Sequence, residues 1–90
     1  MQKLREVKPL LKNKHHLTEL ALFGSYARDE QTEKSDIDIM IALTDKSFRN
    51  YLDAIDLLEL QFPGIEVQVV CKAAIKPQYF EYVKPDLLYA

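Results

Sequence analysis

Leu4, Val7, Leu10 and Leu11 recur at helical spacing near the N-terminus, with Pro9 either opening that helix at its first turn or kinking it. Asn13 to His16 is a polar break, after which Leu17 to Phe23 reads as a short, mostly apolar strand ending at Gly24. Ser25 to Asp29 is expected to form a brief helix, and Glu30 to Lys34 a charged loop. The clearest alternation follows. From Ser35 to Leu43, the side chains of Ile37, Ile39, Ile41 and Leu43 share one face of a strand, while Asp36, Asp38, Met40 and Ala42 take the other. Thr44, Asp45 and Ser47 supply capping groups for an amphipathic helix whose apolar face is predicted to carry Phe48, Leu52, Ile55, Leu58 and Phe62. Pro63-Gly64 stops it. A third strand from Ile65 to Cys71 sets Ile65, Val67 and Val69 against Glu66, Gln68 and Val70. Ala73 to Lys84 then reads as helical, with Pro77 near its start and Pro85 closing it.

This order predicts an α/β (α+β) fold: a small mixed β-sheet of three or slightly more strands, with helices packed chiefly on its apolar face. At 90 residues the expectation is one domain, 1–90, without room for a second substrate-binding domain, so any large acceptor comes from outside. A formal charge of −2 and a pI near 5.6 argue against binding long nucleic acid, which needs an excess of lysine and arginine. The single cysteine, Cys71, excludes an internal disulfide and a thiolate zinc cage, and reads as a buried thiol at a strand end. No stretch is long and apolar enough for a signal peptide or a membrane span, which makes the cytoplasm the expected compartment.

Candidate chemistry gathers at two places. Asp36 and Asp38 lie two apart on a strand, so both carboxylates leave one face with roughly 7 Å between their Cα atoms. Such a pair repels itself unless a cation joins it, and hard oxygen ligands suit Mg²⁺ or Mn²⁺. An Asp-x-Asp alone is more often a solvated strand face. The second place is Phe23-Gly24-Ser25-Tyr26-Ala27-Arg28, a strand running into a turn. There Gly24 lets a phosphate approach the backbone and Ser25 adds a hydroxyl near the free N–H groups of a helix start. Arg28 either reaches the same phosphates or pairs at the surface with Glu30 or Glu33. His15 and His16 have no evident third ligand and read as surface residues. Tyr79, Phe80, Tyr82, Leu87, Leu88 and Tyr89 concentrate apolar surface near the C-terminus, as a partner interface or as core packing.

Gly24-Ser25, ten intervening residues and then Asp36-Ile37-Asp38 resembles the signature of the DNA polymerase β-like nucleotidyltransferase superfamily. The longer run from Gly24-Ser25-Tyr26-Ala27-Arg28 through Ser35-Asp36-Ile37-Asp38-Ile39 is similar to its minimal branch, as are the element order and the tail Ala74-Ile75-Lys76-Pro77. That resemblance implies that Gly24 and Ser25 position the β- and γ-phosphates of a nucleoside triphosphate, with ATP the expected nucleotide. It implies that Asp36 and Asp38 ligate one or two Mg²⁺ (or Mn²⁺) ions, and that an acceptor hydroxyl takes the nucleoside monophosphate. It further implies a small helical HEPN-type protein as partner, with this chain as the antitoxin that adenylylates it.

The resemblance also implies a third carboxylate on the next strand, where family members similar to this one read Val-Asp-Leu-Val. The same register here is Val67-Gln68-Val69-Val70. Gln68 offers an amide oxygen to a metal but cannot serve as a base, and Glu66, two residues earlier on the same face, is the candidate replacement. Two readings follow: a working nucleotidyltransferase, or a catalytically impaired module of the same fold that binds nucleotide, metal or a partner. A nucleotide-sugar glycosyltransferase needs a longer chain. A calcium loop needs a glycine and a distal glutamate that Ser35 to Lys46 does not supply.

Overall fold

The computed structural model describes residues 2–32 and 34–90. Its elements run α1 (Gln2–His15), β1 (Leu17–Phe23), β2 (Ile37–Leu43), α2 (Phe48–Leu60), β3 (Val67–Cys71), α3 (Pro77–Val83) and β4 (Leu88–Tyr89), with short 3-10 segments at Lys72–Ala74 and Lys84–Asp86. The sheet has four strands in the order β3-β2-β1-β4, with β2 and β3 parallel and β1 antiparallel to both β2 and β4. It is the expected small mixed sheet, one strand larger than its strongest alternations suggest.

One face of the sheet forms the core. Leu20, Leu22, Ile37, Ile39 and Ile41 bury against Leu4, Val7 and Leu11 of α1 and Ala54 and Leu58 of α2. A register shift between Leu17 and Glu19 places Leu17 opposite Leu43, so Leu17 also joins the core although strict alternation would turn it away. The expected polar break at Asn13 to His16 does not end α1, which continues to His15. The chain turns at His16, whose φ of 59° is left-handed. Pro9 lies inside that helix on its exposed side, where the carbonyl it leaves without a donor meets water.

The inward face of α2 differs from the expected one. Asn50, Ala54 and Leu58 are buried, whereas Phe48 is 73% exposed and Leu52 is exposed too. The small Ala54 lets the helix approach the sheet closely, and Asn50 is buried because every polar group it carries is answered. Its Nδ2 donates to His15 O at 2.7 Å and Asp45 O at 3.0 Å, and its Oδ1 lies 3.2 Å from His15 Nδ1. His15, expected at the surface, is half-buried in this knot. Ser47 caps the helix by accepting from Asn50 N at 3.3 Å, and Asp45 accepts from Ser47 N at 3.0 Å. Truncating Asn50→Ala removes the donor to two part-buried carbonyls and is expected to cost about 2 kcal/mol, a fall in Tm of roughly 8–16 °C. An unchanged melting curve would show that the knot is not structural.

The opposite face is covered at its centre and open at one end. Met40 and its β1 partner Ala21 are fully buried there, although Met40 falls on the face that alternation marks as polar. Glu19 lies on that same face, bound by Lys72 Nζ at 2.9 Å, and the same ammonium lies 5.5 Å from the centroid of the Phe80 ring on α3. The segment expected as one helix over Ala73 to Lys84 is therefore broken into a 3-10 turn, an extended Ile75-Lys76, and α3 starting at Pro77. The chain after Pro85 then adds β4 along the β1 edge, pairing Leu88 with Leu22 and Tyr89 with Ala21. Tyr79, Tyr82, Leu88 and Tyr89 remain exposed. Cys71 ends β3 half-buried, and burial pushes its thiol pKa up, which keeps it protonated and unreactive. Among the described residues, no helix is long and apolar enough to cross a membrane.

Candidate functional site

The open end of the second face is where the candidate residues meet. In-register pairing sets Phe23, Asp38 and Gln68 side by side across β1, β2 and β3, so their side chains leave one face in a row. Asp36 sits just before β2 rather than within it, on the same face by alternation, and Ile37 N donates to Glu66 O at 2.9 Å, which continues the β2–β3 pairing beyond the strand ends. Glu66 and Gln68 share that face as well, and Gln68 Nε2 donates to Glu66 Oε1 at 3.0 Å. Among the described residues, no three Asp, Glu, His or Cys side chains converge closely enough to hold one ion.

Gly24 closes the row from the β1 side. Its φ is +75°, and a Cβ placed on it would overlap Asp38 Oδ2 and stand 3.1 Å from Asp38 Cγ, so the bare glycine backbone is what allows the carboxylate to lie there. The following residues do not form the expected helix. They make a tight turn in which Ala27 N and Arg28 N both donate to Gly24 O, at 3.1 and 3.2 Å, and Glu30 N donates to Ser25 O at 2.9 Å. Asp29, at a φ of 57°, ends any helical continuation. The free donors attributed to a helix start belong instead to this turn: among the described residues, the amides of Ser25 and Tyr26 donate to no acceptor. Unengaged N–H groups at a turn are of the kind that can receive an anion.

Arg28 resolves its two readings in part. Nε pairs with Glu30 Oε2 at 3.1 Å and Nη1 with Asp86 Oδ2 at 3.0 Å, while Glu33, the other surface partner considered, lies outside the described residues. Asp86 belongs to no motif, and its place 58 residues beyond Arg28 leaves no local signal by which sequence could have found it.

Electrostatics single out Asp38. Burial raises its pKa above the ordinary carboxylate range, the charge of Asp36 pushes it further, and Arg28 pulls in the other direction. Because the folded value exceeds the unfolded one, the stability linked to this proton is complete below about pH 4 and is lost as pH rises through the folded value. The ionised Asp38 therefore weakens the metal-free fold at neutral pH. In EDTA, Asp38→Asn is expected to melt above wild type at pH 7, with the difference closing as pH falls toward 4. A variant that melts below wild type at pH 7 would contradict this.

With this geometry in view, likeness to known proteins becomes informative. The profile of the nucleotidyltransferase domain family matches residues 4–88. The chain belongs to that family. A candidate protein adenylyltransferase of Methanocaldococcus jannaschii is 43% identical to this nucleotidyltransferase domain over 90 residues, covering 96% of this chain and 89% of the relative. The solved structure of a candidate minimal nucleotidyltransferase aligns with a TM-score of 0.76 at 26% identity, over 97% of this chain and 89% of that one. A toxin–antitoxin crystal structure with AMP-PNP aligns with a TM-score of 0.74 over 99% of this chain and 72% of that one; at 22% identity the shared likeness is one of fold. The mixed sheet and its helices are thus a nucleotidyltransferase fold.

Proposed function

We propose that this nucleotidyltransferase domain transfers AMP from ATP, with a divalent metal, to a hydroxyl of a protein partner. The observation that carries the reading is the row of Phe23, Asp38 and Gln68 with the Gly24 backbone laid against the Asp38 carboxylate, because it brings a phosphate-accepting turn and an acidic pair to one open sheet end. The name of the M. jannaschii relative, a candidate protein adenylyltransferase, supports the choice of adenylyl group and protein acceptor.

The donor set fits Mg²⁺ or Mn²⁺: two carboxylates two residues apart, with the pKa of Asp38 raised by burial and by the charge of Asp36, a shift that a cation would reverse. Bound there by Asp36 and Asp38, the metal would polarise the α-phosphate and neutralise charge on the departing pyrophosphate. The chain's own residues do the positioning. Ser25 and Tyr26 offer unengaged amides and Ser25 a hydroxyl to the β- and γ-phosphates, and Arg28 presents its remaining N–H groups to them. The acceptor oxygen bonds to the α-phosphorus as the bond to the β-phosphate oxygen breaks, and the acceptor's proton needs a base. Gln68 cannot take it; Glu66, whose carboxylate is steadied by Gln68 Nε2, is the base in this reading. Glu66→Gln is then expected to slow transfer about 10²-fold with Mg-ATP binding retained. Unchanged transfer would remove Glu66 from the reaction.

The toxin–antitoxin structure of the same fold supports a toxin as the partner, with this chain as antitoxin; a small helical HEPN-type protein as that toxin is what the sequence resemblance implies. A second reading is favoured by Gln68 standing where a carboxylate is expected: a module that binds its partner without transfer. ATP labelled at the α-phosphate separates the two. Label from the α-position, and none from the γ-position, should pass to the partner in the presence of Mg²⁺. Stoichiometric partner binding without label would establish the module instead.

A further inference from the structure

The Arg28 side chain is held from two directions. Its main-chain N–H is fixed to Gly24 O at 3.2 Å, and its guanidinium donates through Nε to Glu30 Oε2 at 3.1 Å and through Nη1 to Asp86 Oδ2 at 3.0 Å. A guanidinium carries five N–H groups in a rigid plane, so two acceptors at different positions on its edge determine the orientation of that plane and leave the other donors available. Glu30 is local, two residues along the same turn. Asp86 is not. It is carried by the 3-10 turn Lys84–Asp86, which Leu87 N closes on Lys84 O at 3.3 Å, and by β4, which pairs with Ala21 and Leu22 of β1. Both sides of the clamp therefore hang from β1: Arg28 from the turn that leaves its end, and Asp86 from the strand laid along its edge.

Stability alone does not account for this arrangement. Arg28 is exposed, and exposed ion pairs contribute little to folding because water and salt screen them. Two carboxylates on one guanidinium also leave a local excess of negative charge, which opposes a polyanionic ligand. The benefit has to be geometric. A free arginine loses much rotamer freedom when it closes on a phosphate, and one already oriented loses less. The positive charge is also in the right neighbourhood, since Arg28 acts on Asp38 from its clamped position.

We infer that Asp86, together with Glu30, is a positioning pair that orients the Arg28 guanidinium toward the triphosphate. The inference rests on the nucleotide reading above. It makes the C-terminal segment a part of the nucleotide site, although none of its residues touches the phosphates.

The test is a double-mutant cycle on the dissociation constant of a non-hydrolysable ATP analogue with Mg²⁺, measured by calorimetry on the whole chain. Asp86→Ala releases the fork and is expected to weaken binding about fivefold, whereas Asp86→Asn keeps an accepting oxygen, sheds the opposing charge and stays within about twofold of wild type. Arg28→Ala weakens binding by at least as much as Asp86→Ala, and Arg28→Ala/Asp86→Ala is no weaker than Arg28→Ala alone, because Asp86 acts only through Arg28. Glu30→Ala carries the same expectation as Asp86→Ala from the other side of the fork, and decides the matter should Asp86→Ala loosen the C-terminal segment. Effects of Arg28→Ala and Asp86→Ala that multiply in the double variant, or single variants at Asp86 and Glu30 that bind as wild type does, would overturn the inference and leave the nucleotide reading standing. A wild-type chain that fails to bind the analogue at all would remove both.

Discussion

Asp38→Asn is expected to lower the rate of AMP transfer about 10³-fold while the chain stays folded. The expected loss follows from what the carboxylate is asked to do. A metal-bound carboxylate that stabilises charge on a transferring phosphate is worth several kcal/mol of barrier, and about 4 kcal/mol corresponds to three powers of ten. Asparagine matches the shape of aspartate and keeps one oxygen, so neither packing against Gly24 nor the sheet register changes; only the negative charge goes. The same substitution removes an ionised group whose pKa burial and Asp36 hold above the ordinary carboxylate range, which is why the metal-free variant is expected to melt higher as it loses activity. Opposite signs in one variant are hard to obtain from general damage to the fold. Transfer retained within tenfold of wild type would mean that Asp38 is a solvated strand carboxylate and nothing more.

Gly24→Ala is expected to cost transfer about 10²-fold and to lower Tm by roughly 5–15 °C. Two terms contribute. A side chain at a φ of +75° is strained by about 1–2 kcal/mol, and the new methyl group would overlap Asp38 Oδ2, so the carboxylate has to move. A displacement on the order of 1 Å in a positioned catalytic group is enough for a 10²-fold loss. Gly64 supplies the control. Its φ is +81°, yet nothing lies within 4 Å of the position a Cβ would take, so Gly64→Ala carries the backbone strain without the collision. Gly64→Ala should therefore lower Tm and leave transfer near wild type. Equal losses of activity in the two variants would show that the glycine acts through global stability rather than through Asp38.

Much of this fold can be read from periodicity because its central strands are half-buried. Ile37, Ile39 and Ile41 alternate with Asp36 and Asp38, and the buried face leaves only one register open to them. The β1 strand runs from Leu17 to Phe23 as its pattern indicates. The elements that hydrophobic pattern misses are those where something other than apolar burial decides. Asn50 is buried by hydrogen bonds and Ala54 by its small size, while the larger Phe48 and Leu52 face outward, so hydrophobicity marks Leu58 and Phe62 correctly and misplaces the start of the inward face of α2. The two residues of β4 are too few to show a period, and their partner strand lies more than 60 residues earlier. Ser25 to Asp29 has helix-like length, but a left-handed residue at its end and the closing bond from Glu30 to Ser25 make it a turn.

The candidate site divides the same way. The acidic pair and the glycine turn are close in sequence and have a local signature, and the register across β1, β2 and β3 brings them together with Gln68 and Glu66. The contact between the Gly24 backbone and Asp38, and the tie from Arg28 to Asp86, depend on how distant segments pack. No spacing rule encodes either of them. The breaking of the C-terminal segment into a 3-10 turn, an extended stretch and α3 is likewise a tertiary outcome.

The most direct test of the claim that this sheet end is a metal and triphosphate site needs no partner protein. Binding of a non-hydrolysable ATP analogue to the wild-type chain should be measured by calorimetry with Mg²⁺ and again in EDTA, alongside Asp36→Asn/Asp38→Asn. The account predicts one-to-one binding that depends on the metal and is lost in the double variant; binding of equal strength without metal, or undiminished in the double variant, would contradict it.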